Sequence, residues 1–223
     1  LDAAGPKCKV FANCAVGYDN IDLSAARDRG IRVTNTPGVL TDATAELAWA
    51  LLFAAARRIV ESDRLMRTGR WDGWGPMQFL GQDVTHRTLG VVGAGRIGTS
   101  FALKSSGFAM RVLYSDPMPN EVLESMVNAK RVTLEELLER SDFVSLHVPL
   151  TERTRHLIGE RELETMKASA VLVNTSRGPI VDEAALVKAL RAGKIAAAGL
   201  DVYEDEPRLA PGLAKLPNAV LCT

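Results

Sequence analysis

Gly93-Ala94-Gly95-Arg96-Ile97-Gly98 spaces three glycines so that a chain can turn sharply, approach a bound group and enter a helix. In such a run the first glycine permits the turn and the second lets the backbone come close to a pyrophosphate. The third lets helix and strand pack tightly, and Ala102, one turn on, keeps that contact small. The helix opening then presents unpaired N–H groups and a positive dipole end to phosphates. A glycine turn alone is a weak signal, so its surroundings decide. An apolar stretch at 88–92 precedes it, a helical pattern at 96–106 follows, and Asp116 ends the next apolar stretch at 111–115. A carboxylate there accepts hydrogen bonds from the adenosine ribose and repels a 2′-phosphate, which selects NAD, and NADH over NADPH.

Two further side chains invite chemistry. Arg177, in Asn174-Thr175-Ser176-Arg177-Gly178, has a planar fork that matches both oxygens of a carboxylate. Glu206 closes an acidic run before Pro207 and is expected to partner Arg177. The histidines are few. His147 ends a buried strand and reads as a packed, hydrogen-bonded residue, and His86 and His156 are assigned no chemistry. Cys8, Cys14 and Cys222 have no metal-ligand spacing, so no metal is expected.

These residues need a frame that brings them together. From residue 88 onward, short apolar stretches at 88–92, 111–115, 143–147, 170–174, 196–200 and 219–222 alternate with helical ones. The helices are expected at 96–106, 121–127, 134–140 (capped by Thr133), 160–167 and 183–192 (capped by Asp182, closed by Gly193). Strands that are apolar throughout have both faces covered, which predicts an α/β fold with a doubly wound parallel sheet. In such a sheet ligands bind beyond the carboxyl ends of the strands. The residues that follow the successive strands are Gly93, Asp116, His147-Val148-Pro149, Asn174 to Gly178, and Asp201 to Pro207, which places the unusual polar groups on one rim.

The first part of the chain reads as a strand at 8–16, a turn at 17–20, a helix at 21–29 and a strand at 31–34. A long helix then runs from Thr41 or Asp42, either of which suits its cap, to about Met66. It is apolar nearly all round, as for a helix buried between layers or subunits. A loop at 69–81 carries Trp71 and Trp74, a composition suited to covering a neighbour.

Composition bounds the partners. The 223 residues hold 27 Lys plus Arg against 27 Asp plus Glu, so a phosphate backbone is not the expected ligand. With 47% hydrophobic and 24% charged residues the chain has the balance of a soluble globular protein. Its longest apolar run, 47–56, is too short to span a bilayer. Unpaired cysteines and the lack of a leader fit a cytoplasmic setting. The chain starts without Met and stops directly after an apolar strand, which suggests a piece of a longer protein.

With AVGYDNIDL (15–23), NTPGVLTDATAELAWALL (35–52), LGVVGAGRIG (89–98), NTSRGPIVDEAAL (174–186) and GLDVYEDEP (199–207) in order, the chain resembles the D-isomer-specific 2-hydroxyacid dehydrogenases, and among them the glyoxylate/hydroxypyruvate reductases. The resemblance implies a Rossmann-like cofactor domain at 45–223, joined by the helix at about 42–66 to a remnant, 1–44, of a flavodoxin-like substrate domain. It implies hydride transfer from NADH to a small 2-oxo acid. Other dehydrogenases of the family (phosphoglycerate, D-lactate, formate) and an NAD-binding regulator of the corepressor kind are the alternatives.

Residue by residue, the resemblance places the substrate carboxylate on the backbone at Val16 and Gly17 and on Arg177. It places the cofactor against Gly93, Gly95, Arg96, Ile97, Gly98, Asp116, Val148, Pro149, Thr175, Ser176, Arg177 and Asp201. Arg177 and Glu206 are implied as catalytic, Glu206 as partner of an acid–base histidine that in the family follows the strand at 219–223 and is not among these residues. These residues alone are therefore expected to bind NAD but to turn over poorly. The resemblance also implies a homodimer through the cofactor domain, which the helix at 47–56 and the tryptophan loop would suit.

Overall fold

In the computed structural model, which describes residue 5 and residues 7–223, the chain builds two separate parallel sheets. The opening residues of the 1–44 segment, 1–4 and 6, lie outside the described residues. The small sheet pairs β1 (Val10–Ala12) with β2 (Arg32–Thr34) across α1 (Leu23–Asp28). Asp22 caps α1 by accepting from Ala25 N. β1 is shorter than the expected strand: Asn13 N still donates to Thr34 O at 2.9 Å and Thr36 N to Ala15 O at 3.1 Å, but the carbonyls of Val16 and Gly17 are taken by amide side chains.

α2 (Thr41–Ala56) and α3 (Ile59–Thr68) follow where one long helix was expected. The break has a local cause. The Ala56 carbonyl accepts from Gln82 N at 2.8 Å, and Arg58 turns left-handed at φ 54°. Arg58 is held there by Glu61, at 3.0 and 2.7 Å, and by the ring of Phe79, 5.2 Å away. Neither Thr41 nor Asp42 caps α2: the cap position is Leu40, and the Asp42 carboxylate goes to Ser100 and Lys104.

The large sheet contains β3 (Thr88–Val92), β4 (Arg111–Ser115), β5 (Lys130–Arg131), β6 (Phe143–Leu146), β7 (Val171–Asn174), β8 (Ala197–Leu200) and β9 (Ala219–Leu221). Their order is β5-β4-β3-β6-β7-β8-β9, every pair parallel. Successive crossovers therefore leave β3 in opposite directions, the doubly wound arrangement with its switch point between β3 and β6. α4 (Arg96–Leu103), extended by a 3-10 turn to Phe108, lies with α2 on one face. α6 (Leu134–Arg140), α7 (Glu160–Thr165) and α8 (Glu183–Arg191) cover the other, while α5 (Glu121–Val127) packs beside α4. Side chains alternate between the two cores. Leu89 and Val91 of β3 face Phe101 and Leu52, whereas Val92 faces the layer of Leu137 and Leu186. The central strands are buried on both faces, which is why they read as apolar throughout.

The wide apolar surface of α2 is covered by the chain itself. Trp49 donates its indole N–H to Phe101 O at 3.0 Å and stacks on the Phe101 ring, and Leu51 and Leu52 are buried against the sheet. That helix is thus largely a packed layer of this fold, and exposed apolar side chains lie elsewhere, with Trp71, Trp74, Met77 and Leu80 clustered in one loop. Among the described residues no helix is long and apolar enough to cross a membrane.

Candidate functional site

The glycine turn is built by its neighbours. Gly93 sits at φ 93°, and a Cβ on it would lie 2.8 Å from the His147 and Val148 backbone. A Cβ on Gly98 would lie 2.0 Å from Gly93 O, so the start of α4 can approach β3 only as glycine. Gly95 differs: its φ is −73°, and a Cβ would meet nothing within 4 Å. Neither packing nor backbone angle demands glycine there. The space it leaves lies over the α4 N-terminus, whose opening amides have no intrahelical acceptor. The turn is fixed from behind, with Ala94 N donating to Asp116 Oδ2 at 2.8 Å and Asn120 Nδ2 donating to Ala94 O at 2.9 Å. Asn120 also caps α5 through Leu123 N.

Two cavities flank this turn. The one beyond β4, of about 720 Å³, is lined by Asp116, Pro117, Arg131, Val148 and Leu157 among others. Asp116 Oδ1 accepts from Met118 N at 2.9 Å, so both carboxylate oxygens are anchored while the group still lines the cavity. The other, of about 410 Å³, is lined by Gly95, Arg96 and Ile97 on one side and by Val148, Pro149, Thr175, Ser176 and Arg177 on another. Val16 and Gly17 close it from the small sheet. Val148 belongs to both walls, so the two cavities adjoin at the switch point.

The floor of the second cavity has unmet hydrogen-bonding capacity. Thr175 Oγ1 and His147 Nδ1 are buried without a partner among the described residues. The other ring nitrogen of His147 meets Ser145 Oγ at 2.9 Å, and burial pulls the imidazole down to about 3, so it stays neutral near pH 7. A cradle left open by Gly95, orphaned polar atoms and a helix N-terminus fit a dinucleotide whose pyrophosphate crosses Gly95 and Arg96.

The Arg177 loop is rigidly supported. Buried Asn174 accepts from Ser176 N at 3.0 Å and donates to Arg177 O at 2.9 Å, and Ser176 Oγ donates to Leu146 O at 2.7 Å. The loop at Val16 and Gly17 is held by its carbonyls, Asn35 Nδ2 donating to Val16 O at 2.9 Å and Asn13 Nδ2 to Gly17 O at 2.6 Å. Among the described residues the N–H groups of Val16 and Gly17 have no acceptor, so this backbone can bind an anion beside Arg177.

Arg177 and Glu206 do not pair. The carboxylate on Arg177 is that of Asp19, with Nε 3.0 Å from Oδ1. Glu206 accepts from Tyr203 N at 2.9 Å, and with Asp201 it follows β8 on the same rim, outside both cavity walls. Burial, and then the charge of Glu206, raise the Asp201 carboxyl. The acidic run is not simply solvated either. Glu204 meets His156 Nε2 at 2.5 Å and donates its backbone N–H to buried Glu183 at 2.6 Å. Burial foremost raises the Glu183 carboxyl. Asp19, Asn13 and Asn120 went unnoticed in the sequence. Asn120 had a signal, since Asn stands directly before the acidic first turn of α5. Among the described residues no group of His, Cys, Asp and Glu could hold a metal ion.

Comparison with known proteins agrees with this architecture. Residues 49–223 match the family described as D-isomer specific 2-hydroxyacid dehydrogenase, NAD binding domain. A glyoxylate reductase of Korarchaeum cryptofilum is 58% identical over 221 residues, 98% of this chain and 66% of that relative, so the chain spans just under two thirds of its length. The crystal structure of a glyoxylate reductase from Paecilomyes thermophila superposes with a TM-score of 0.88 at 42% identity, covering 99% of this chain and 66% of that one. An NADPH-dependent glyoxylate/hydroxypyruvate reductase from Sinorhizobium meliloti, in complex with NADP and malonate, gives 0.89 at 37% identity over 99% of this chain and 68% of that one. The glycine turn at the switch point, the seven parallel strands and these likenesses make the chain a member of the D-isomer specific 2-hydroxyacid dehydrogenase family, with its NAD binding domain at residues 49–223.

Proposed function

We propose that the chain is the cofactor-binding part of a reductase that converts a small 2-oxo acid, glyoxylate or hydroxypyruvate, to the 2-hydroxy acid. One observation carries this: Arg177 and the unpaired amides at Val16 and Gly17 line the same 410 Å³ cavity as the α4 N-terminus. An anion site beside a dinucleotide site suits a substrate whose carboxylate is adjacent to the reacting carbonyl. The naming of the relatives as glyoxylate reductases supports the same substrate class.

When bound, a reduced nicotinamide supplies the hydride for the carbonyl carbon. The chain's own residues do the rest of the positioning. Gly95, Arg96 and Ile97 would hold the pyrophosphate, with Gly93 and Gly98 shaping the turn. Val148, Pro149, Thr175 and Ser176 would line the path to the nicotinamide, with Asp201 at its margin. Arg177 would draw the substrate carboxylate and polarise the carbonyl oxygen as charge develops on it. His147, buried and neutral, is not assigned as proton donor. Glu206, exposed on the same rim, is proposed to support a histidine donor that is not among these 223 residues, as the family resemblance implies.

Asp116 in the larger cavity favours NADH over NADPH, because its carboxylate opposes a 2′-phosphate. The exposed apolar loop bearing Trp71 and Trp74 suits a homodimer, and three free thiols suit a cytoplasmic setting. The test is oxidation of NADH by the full-length protein with glyoxylate, hydroxypyruvate, pyruvate and 3-phosphohydroxypyruvate. Glyoxylate or hydroxypyruvate should give the highest kcat/KM, and Arg177→Ala should lower it by roughly a hundredfold or more. Better turnover with NADPH overturns the role of Asp116, and no turnover of any 2-oxo acid overturns the proposal.

A further inference from the structure

Asp19 and Arg177 are far apart in the chain, one in the loop after β1 and the other in the loop after β7. Their side chains meet at the mouth of the anion site, with Arg177 Nε shared between Asp19 Oδ1 and Oδ2 at 3.0 and 3.1 Å. Each is about one third exposed, 35% and 33%. Arg177 Nη1 donates to Ser176 O at 2.7 Å. Nη2 meets no acceptor among the described residues and lies against Gly17, where a Cβ would be 1.8 Å from it and 2.9 Å from Asp19 Oδ1. The Nε–H and one N–H of Nη1 are therefore taken, and the other N–H of Nη1 and both of Nη2 are left for a ligand.

A carboxylate beside an anion site should weaken it by simple charge repulsion. Its geometry argues for the opposite effect. Without Asp19 the long arginine side chain loses the one side-chain group, among the described residues, that holds its Nε–H, and the fork can rotate among rotamers that do not face the cavity. We propose that Asp19 is a positioning residue that selects the edge of Arg177 presented to the substrate carboxylate and carbonyl, and that its removal weakens 2-oxo acid binding although it removes a negative charge. The inference rests on the reading of Arg177 as the partner of the substrate anion. It also makes the anion site depend on contact between the two sheets, because each supplies one half of the pair.

The test uses the full-length protein with Asp19→Ala and Asp19→Asn. Glyoxylate KM and kcat are measured at saturating NADH, NADH affinity by fluorescence, and the Arg177 Nε–H resonance by 15N NMR, assigned through Arg177→Lys. Asp19→Ala should raise the glyoxylate KM by roughly ten- to a hundredfold, leave the NADH Kd within about twofold, and move the Nε–H resonance. Asp19→Asn keeps an acceptor oxygen for Nε–H and should fall between Ala and wild type. A glyoxylate KM that is unchanged or lower in Asp19→Ala overturns the proposal, as does an Nε–H resonance identical in the two proteins. Wild-type protein that binds NADH and reduces no 2-oxo acid removes the functional reading and this inference together, a result distinct from normal wild-type turnover with an indifferent Asp19→Ala.

Discussion

His147 shows how the same residue type can be near a reaction and outside its chemistry. It lines the smaller cavity, yet burial pulls its imidazole down to about 3 and leaves Nδ1 without a partner. Its folded value lies below the unfolded one, near 6.5, so the unfolded chain binds the extra proton first as pH falls. His147 therefore costs stability progressively as the pH falls below about 6.5 and until it nears 3. Replacing it by Asn, which cannot titrate, should flatten the fall in Tm between pH 6.5 and 4. An identical pH dependence of Tm in wild type and His147→Asn would show that the imidazole is not held neutral. Reading His147 from the sequence as packed and hydrogen-bonded matches one of its nitrogens only. The Arg177–Glu206 pairing, inferred from residue types, does not form, because adjacency along a rim does not specify which carboxylate reaches which guanidinium. Asp19 had no signal of its own in a Tyr-Asp-Asn turn, and its partner is supplied by a different sheet.

At the scale of elements, local chemistry was most readable where it was self-contained. β3 and β4 have the bounds that their apolar runs suggest, and Thr133 and Asp182 cap α6 and α8 by accepting from Glu136 N and Ala185 N. β5, two exposed residues without an apolar pattern, carries no such signal and exists only because β4 has a free edge. The α2–α3 break was equally invisible, since it depends on Gln82 capturing the Ala56 carbonyl from a distant loop. Asn120 joins two elements, capping α5 while holding the carbonyl of Ala94 and the hydroxyl of Thr99. Asn120→Ala should cost about 1–2 kcal/mol of stability through the lost cap, and should also weaken NADH binding severalfold by loosening the turn. Denaturant unfolding together with an NADH titration checks both. A stability loss with unchanged NADH affinity would confine Asn120 to the helix.

For the whole molecule, the parallel doubly wound sheet followed from strand–helix alternation, but its strand order and the division of apolar surface did not. α2 is a candidate interface from its composition; the fold buries its Trp49, Leu51 and Leu52 and leaves Leu47, Phe53 and Ala54 half-buried. The loop at 69–81 leaves a cluster of apolar side chains outside, with Trp74 83% and Met77 77% exposed. Such an apolar surface fits a second copy of the chain, and the homodimer proposal rests on this loop together with the half-buried part of α2. Trp71→Ser with Trp74→Ser should convert a dimer to a monomer in sedimentation at micromolar concentration without lowering monomer Tm by more than a few degrees. A wild-type monomer, or a dimer indifferent to both changes, would remove the proposal. The proposed function requires the rim between β3 and β6 to hold a dinucleotide over Gly95. Gly95→Asp tests it most directly, because Asp is a favoured helix cap and its Cβ meets no atom of the protein within 4 Å, whereas its charge would stand where the pyrophosphate crosses. An NADH titration of this variant, with its Tm near that of wild type, should show affinity weakened by about a hundredfold or more; wild-type affinity in a folded Gly95→Asp would contradict the account.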